Sequence, residues 1–287
     1  MNELLANVFT AMVIDENEKN YFVQKNGQTF RLSKEEGEHT IGEAVEGFGY
    51  QNQKQENRFT TVIPKSRIGH YAFGTVTSSR KDLGVFVDIG LPDKDFVVSL
   101  DELPTMTELW PKKGDQLMIA LRVDAKDRIW GSLAEERIFK SLSKQGSEEL
   151  KNKNISGIAY RLKLTGTYLL TDDFYIGFIH PSERYREPRL GEKVEGRVVG
   201  ARPDGVLNIS LKPRAHETIS DDAQMIFTIL ERSADQQIAF TDKSDPDEIM
   251  RAFGISKGAF KRAIGNLLKQ GLIKQEDGVT KLAKKSN

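Results

Sequence analysis

The feature that most constrains this chain is a recurrence. Residues 71–103, "YAFGTVTSSRKDLGVFVDIGLPDKDFVVSLDEL", and residues 157–183, "GIAYRLKLTGTYLLTDDFYIGFIHPSE", both break short alternating or apolar runs with Gly, Pro and charged turns. Runs of that length and period are strands rather than helices. Two further strands follow each stretch: "QLMIALRVDAKDRIWGSLA" turns at Ala125 to Asp127, and "GEKVEGRVVGARPDGVLNISLKPR" turns at Pro203 to Gly205. A degenerate earlier version occupies residues 2–63, where "YFVQKNGQTFRLS" reads as a hairpin through Asn26-Gly27. Between the second and third versions, "AEERIFKSLSKQGSEELKN" lacks strand character and reads as a helical linker.

Five strands closing into a small Greek-key barrel describe an OB-fold, which offers one sheet face and two loops to oligonucleotides. The residues add a more specific likeness. Copy two has Gly74-Thr75-Val76, Gly84-Val85-Phe86 and Arg128-Ile129-Trp130-Gly131-Ser132; copy three has Gly166-Thr167-Tyr168, Gly177-Phe178-Ile179-His180-Pro181-Ser182-Glu183 and Leu207-Asn208-Ile209-Ser210. In these stretches residues 72–134 and 157–212 resemble the S1 class of RNA-binding domain. Both depart from its pattern: copy two lacks the histidine in "DFVVSLDEL", and copy three has Val206 at the closing Arg position and Thr165 where a first aromatic often sits.

Phe86, Tyr168 and His180 are the candidate platforms for unstacked bases, with Arg128, Arg161, Lys163 and Arg197 placed to follow a phosphate backbone. Phe86 alternates with Val85 and Val87, and an aromatic in a barrel strand is as often core as platform. The Tyr168 hydroxyl favours a wet site. His180 is expected to be a contact. The four histidines, His39, His70, His180 and His216, are scattered without metal-ligand spacing.

From Asp221 the period changes. "DDAQMIFTILERS" is apolar at Met225, Ile226, Ile229 and Leu230; "SDPDEIMRAFGIS" opens on the capping signal Ser244-Asp245-Pro246 and stops at Gly254. Ser256 caps "KGAFKRAIGNLLKQG", in which Phe260, Ala263, Ile264, Leu267 and Leu268 share one side and Lys257, Lys261, Arg262 and Lys269 another. A hairpin through Asp277-Gly278 follows. That order is a winged helix, which presents its second helix and wing to nucleic acid.

The expected fold is therefore mostly β with α: three tandem OB-fold/S1-like five-stranded barrels (1–64 degenerate, 65–134, and 157–214 after a linker at 135–156) and a winged helix at 219–285. The net charge is zero, yet its distribution is not even. Residues 1–64 carry 6 Lys+Arg against 10 Asp+Glu, residues 65–134 carry 10 against 10, residues 151–214 carry 12 against 7, and the last 31 residues carry 8 against 2. Positive charge in the C-terminal half suits phosphate. The absence of cysteine excludes disulfides, thiolate metal sites and cysteine nucleophiles. The acidic N-terminal stretch and the lack of any long apolar run lead us to expect a cytoplasmic protein without a membrane span.

The whole arrangement resembles the conserved virulence factor B family of bacterial S1-containing regulators. Besides the barrels, "ENRFTTVIP", "IGFIHPSERYREPRLGEKVEGRVVG" with "LNISLKPRA", and "SKGAFKRAIGNLLKQGLI" carry the likeness. The resemblance implies an RNA-binding protein that affects gene expression. The expected partner is single-stranded RNA, with no cofactor and no metal. Two alternatives stand beside it: an adaptor that docks protein partners through its N-terminal domains, and a DNA-binding regulator that works through the winged helix. Catalysis is disfavoured, because no Walker-type loop, His-Glu-x-x-His or Gly-x-Ser-x-Gly occurs; Asp172-Asp173 reads as a turn and Asp221-Asp222 as a helix start.

Overall fold

Alternation of inward apolar and outward polar side chains builds each barrel. In β1 (Asn7–Glu16), β2 (Asn20–Lys25), β3 (Gln28–Ser33), β4 (Ala44–Gln51) and β5 (Asn57–Thr60), the side chains of Val13, Val23, Phe30, Leu32, Phe48 and Phe59 are buried. This computed structural model describes residues 3–213, 220–233, 235–276 and 278–283. The five strands close in the order β1-β2-β3-β5-β4, with β3 and β5 parallel and every other pair antiparallel. Asn26 and Gly27 have φ of 49° and 75°, the left-handed pair that a two-residue hairpin turn needs.

The same closed order recurs twice. It is built from β6 (Ala72–Arg80), β7 (Gly84–Asp88), β8 (Phe96–Ser99), β9 (Gln116–Val123) and β10 (Ile129–Leu133), and again from β11 (Asn154–Lys163), β12 (Gly166–Thr171), β13 (Ile176–Ile179), β14 (Lys193–Ala201) and β15 (Leu207–Ser210). Gly84 and Gly166 open the second strand of their barrels with φ of 139° and 146°, and a Cβ there would lie 2.0 Å from the Val98 carbonyl oxygen or 2.5 Å from that of Ile179. Only glycine fits so close an approach at that φ.

The turn after each third strand is a shared device. Ser33, Ser99 and His180 each cap a short 3-10 turn by accepting a backbone N–H, from Glu35, Asp101 and Ser182 respectively. The residue that ends the turn then ties down the fifth strand. Glu36 and Glu102 accept the N–H of Thr61 and Leu133 on a carboxylate oxygen, each at 2.7 Å, and the Glu183 carbonyl accepts that of Leu211 at 2.8 Å.

The three barrels form one compact unit, residues 1–211, and residues 212–287 form another. One apolar cluster runs from Phe48, Tyr50 and Phe59 of the first barrel into Leu91, Phe96, Leu121 and Ile129 of the second. Between the second and third, Arg189 Nη2 and Nε meet the two Asp115 carboxylate oxygens at 3.0 and 3.1 Å, and Nη1 lies 3.3 Å from Glu192. Gly191, at φ 79°, brings its backbone so close that a Cβ would sit 2.8 Å from the Gln116 oxygen. The segment read as a linker, 135–156, contains α1 (Glu136–Leu142), whose Phe139 is buried and stacks on Tyr160 at 3.8 Å; its last residues, from Asn154, already belong to β11.

In the second unit, α2 (Asp221–Arg232), α3 (Pro246–Phe253) and α4 (Lys257–Lys269) pack beside a three-stranded sheet. Its strands, β16 (Gln237–Ile238), β17 (Ile273–Glu276) and β18 (Val279–Leu282), run in the order β16-β18-β17. Caps form as the residues indicate: Ser220, Asp245 and Ser256 accept N–H bonds at the helix starts, and Gly254 is left-handed at φ 68°. Ile226, Leu230, Ile249, Phe253, Phe260, Ile264 and Leu267 make the core. Leu268, grouped with that face above, is instead 39% exposed. At 100° per residue it stands about 80° from Phe260, at the edge of the stripe. In the wing, Glu276 pairs with Val279, and Asp277 lies outside the described residues. Positions 214, 219, 284 and 285 near the expected domain edges lie outside them as well.

Candidate nucleic-acid interface

In the second barrel the core takes Val85 and Val87, so Phe86 between them faces outward and is half-buried. It pairs with Ser78 and Val97; Val97 pairs with Trp130, and Trp130 with Arg122. Register thus places Phe86, Val97, Trp130 and Arg122 in one row across the outer face. The Arg128 and Arg122 guanidiniums lie over the Trp130 ring, 5.3 and 5.8 Å from its centre. Arg128 is also held by Asp124 at 2.7 Å, and Trp130 Nε1 donates to the same carboxylate. These bonds, led by the Arg128 backbone N–H, hold the Asp124 carboxyl well below the usual carboxylate range.

The third barrel repeats the row. Arg161 pairs with Tyr168, Tyr168 with Phe178, and Phe178 with Asn208. The Tyr168 and Phe178 rings meet edge to face at 5.0 Å, with Lys163 Nζ over Tyr168 at 5.0 Å and the Arg202 guanidinium over Phe178 at 4.0 Å. The bulge between Ala159 and Arg161 leaves Tyr160 out of register and available to stack on α1. That helix brings an acid to the face: Glu136 lies 2.9 Å from Lys140, 3.4 Å from Lys163 and 3.6 Å from Arg161. The Lys140 hydrogen bond and the Lys163 charge keep the Glu136 carboxyl below its ordinary value against the opposing effect of burial.

His180 is exposed, and its Nδ1 accepts the Ser182 N–H at 3.2 Å and lies 2.7 Å from Ser182 Oγ. The ring is a cap on one nitrogen, which leaves Nε2 and the ring face outside that bond. In copy two, where the histidine is missing, Ser99 makes the same cap. Arg197, in β14, pairs with Asn154 and Ser210 and reaches Asn152 at 3.3 Å; its Nε is buried without a hydrogen-bond partner among the described residues. On α4, Lys261, Arg262 and Lys269 are exposed and Lys257 half-buried, and none of the four makes an ion pair among the described residues.

The candidates therefore lie on three parts of the fold: Phe86 and Arg128 on the second barrel, Arg161, Lys163, Tyr168, His180 and Arg197 on the third, and four cations on α4; the contacts described join Arg161, Lys163 and Tyr168. Sequence reasoning passed over Trp130, Phe178 and Arg202. Trp130 and Phe178 lie inside the quoted motifs, but only the strand register reveals that they share a row with the chosen aromatics. No group of three His, Asp or Glu side chains among the described residues could hold a metal ion. Among the described residues, no helix is long and apolar enough to cross a membrane.

Comparison with known proteins follows the same divisions. A family model described as "CvfB first S1-like domain" matches residues 71–132, "Virulence regulatory factor CvfB, second domain" matches 139–213, "CvfB-like winged helix domain" matches 224–282, and an S1 domain model matches 7–62. Conserved virulence factor B of Staphylococcus epidermidis (strain ATCC 12228) is 41% identical over 265 residues, 91% of this chain and 88% of that one. The Bacillus subtilis protein YitL is 40% identical over 262 residues, 91% and 87% of the two chains. A crystal structure of a multidomain protein with nucleic acid binding domains from Streptococcus pneumoniae TIGR4 is similar at TM-score 0.73 and 53% identity, covering 98% of this chain and 99% of that one. S1-like barrels and a winged helix are nucleic-acid-binding kinds of domain.

Proposed function

Because this chain belongs to the conserved virulence factor B family, we propose that it is a non-catalytic, cytoplasmic RNA-binding protein. It holds single-stranded RNA through the third barrel and the winged helix and regulates gene expression after transcription. The observation that carries this reading is the half-buried Tyr168 ring on the outer barrel face, with Lys163 over it at 5.0 Å and the buried Phe178 bracing it edge-on at 5.0 Å. Rings offer every base a stacking surface, and cations beside them meet the phosphates. A duplex keeps its bases stacked inside and leaves such a row unused. The ion-pair-free cations of α4 supply a second positive surface.

Replacing Tyr168 with Ala tests the reading by fluorescence anisotropy of a labelled, unstructured RNA. A loss of about 1 to 3 kcal/mol is expected if one base stacks there, with Tyr168→Phe close to wild type. Unchanged affinity for both variants contradicts the reading. Incubation with labelled RNA and Mg²⁺ is expected to leave the RNA intact, and sustained, protein-dependent cleavage contradicts the non-catalytic part.

A further inference from the structure

A cleft of about 430 Å³ opens between the first two barrels, lined by Gln53 and Gln55 of the β4–β5 loop and by Lys94, Lys126, Arg128 and Trp130 of the second barrel. That volume is in the range of small-molecule sites. Both walls are fixed. Asn52 Oδ1 accepts the N–H groups of Lys54 and Glu56 at 3.0 Å, and its Nδ2 donates to Glu56 at 2.9 Å, which pins the loop. Tyr50 Oη donates to Asp93 Oδ1 at 2.6 Å, and Arg58 Nε lies 3.4 Å from Asp93 Oδ2, which bolts barrel to barrel.

The chemistry of the lining is selective. The Gln53 and Gln55 side chains are exposed, and neither amide is used by another residue among those described. Lys94 sits between two acids that are engaged elsewhere: Asp93 by Tyr50 and Arg58, and Asp95 by Thr77 Oγ1 at 2.7 Å. Burial draws the Lys94 ammonium below its ordinary value, against the pull of those two acids. Lys94, Lys126 and Arg128 line the cleft with one acid, Asp127, and Arg128 is also paired with Asp124, which leaves Lys94 and Lys126 as the cations without an ion pair among the described residues. A flat ring flanked by a guanidinium, two amides that can each donate and accept, and an ammonium without an ion pair among the described residues match the face of a base, its edge and its phosphate.

We propose that this cleft reads one unstacked nucleotide of single-stranded RNA: the base lies on the Trp130–Arg128 surface, its edge meets the Gln53 and Gln55 amides, and its phosphate takes Lys94. This rests on the RNA-binding reading and extends it, because it gives the acidic first barrel a part in base choice.

The test uses the full chain and four 12-nucleotide homopolymers, with photocrosslinking of RNA that carries 4-thiouridine. Crosslinked peptides are expected to include the 52–56 loop or Trp130. In Gln53→Ala/Gln55→Ala and in Lys94→Met, affinity for at least one homopolymer should fall by about fivefold or more and the order of preference should change. The glutamines are exposed, so the double variant should keep the wild-type denaturation midpoint. RNA bound with crosslinks confined to residues 154–283, and all four affinities unchanged in both variants, overturns the inference while the RNA-binding reading stands. Failure of the full chain to bind any of the four removes that reading and the inference with it.

Discussion

Glu136 controls how much of the third barrel's charge is open to a ligand. It stands within 4 Å of Lys140, Arg161 and Lys163, two of which were chosen from sequence as phosphate contacts. A phosphate must compete with this carboxylate. Glu136→Gln is therefore expected to raise RNA affinity by up to about fivefold at low salt, the scale of a partly exposed ion pair, as measured by anisotropy; unchanged or weaker binding contradicts it. His180 separates two roles that one substitution can tell apart. Serine makes the same cap at positions 33 and 99, so His180→Ser should keep the denaturation midpoint, whereas His180→Ala should lose about 0.5 to 2 kcal/mol. If the ring also touches RNA, His180→Ser weakens binding at full stability; equal binding restricts His180 to its cap.

Among the elements, the strands and their turns were the most legible part of the sequence. Period-two runs, Asn26-Gly27 and the Gly that opens the second strand of the second and third barrels are local signals, and Phe86 between two core valines had only two possible directions. Register was not legible, because which residue of β8 or β13 stands beside which residue of β7 or β12 depends on barrel closure. The Trp130 and Phe178 rows were invisible for that reason. The two-residue β16 carried no periodic signal, and the packing of α1 depends on a bulge that frees Tyr160. The close approach at Gly166 gives a test at this scale: Gly166→Ala forces a Cβ to 2.5 Å from the Ile179 oxygen at φ 146° and should cost at least about 1 kcal/mol in denaturant unfolding. An unchanged midpoint would show that β12 can shift without loss.

For the whole molecule, the joined barrels matter as much as their separate faces. Residues 1–211 form one body, in which Arg189 clamps Asp115 of the second barrel and Glu192 of the third. Burial is the largest single influence on Glu192 and raises its carboxyl, but Arg186, the Arg189 N–H and both guanidinium charges together bring it below the ordinary 4.5. A depressed carboxyl stabilises the fold fully above that value and loses its contribution as pH falls through the folded-state value. The denaturation midpoint of the barrel unit should therefore drop on acidification below pH 4.5, and Glu192→Gln should show a smaller drop; the same drop in both would place the acid sensitivity elsewhere.

The charge distribution gives the central claim its most direct test, since the basic third barrel and α4 should draw most of their affinity from phosphates. That measurement is the affinity of the full chain for an unstructured RNA across a range of salt, with a DNA duplex of equal length as competitor. If about six phosphates of a single strand are neutralised, log affinity should fall with log salt at a slope of about −4, and the duplex should compete poorly. An affinity independent of salt, or a duplex that displaces the RNA at equal concentration, would contradict single-strand recognition by these surfaces.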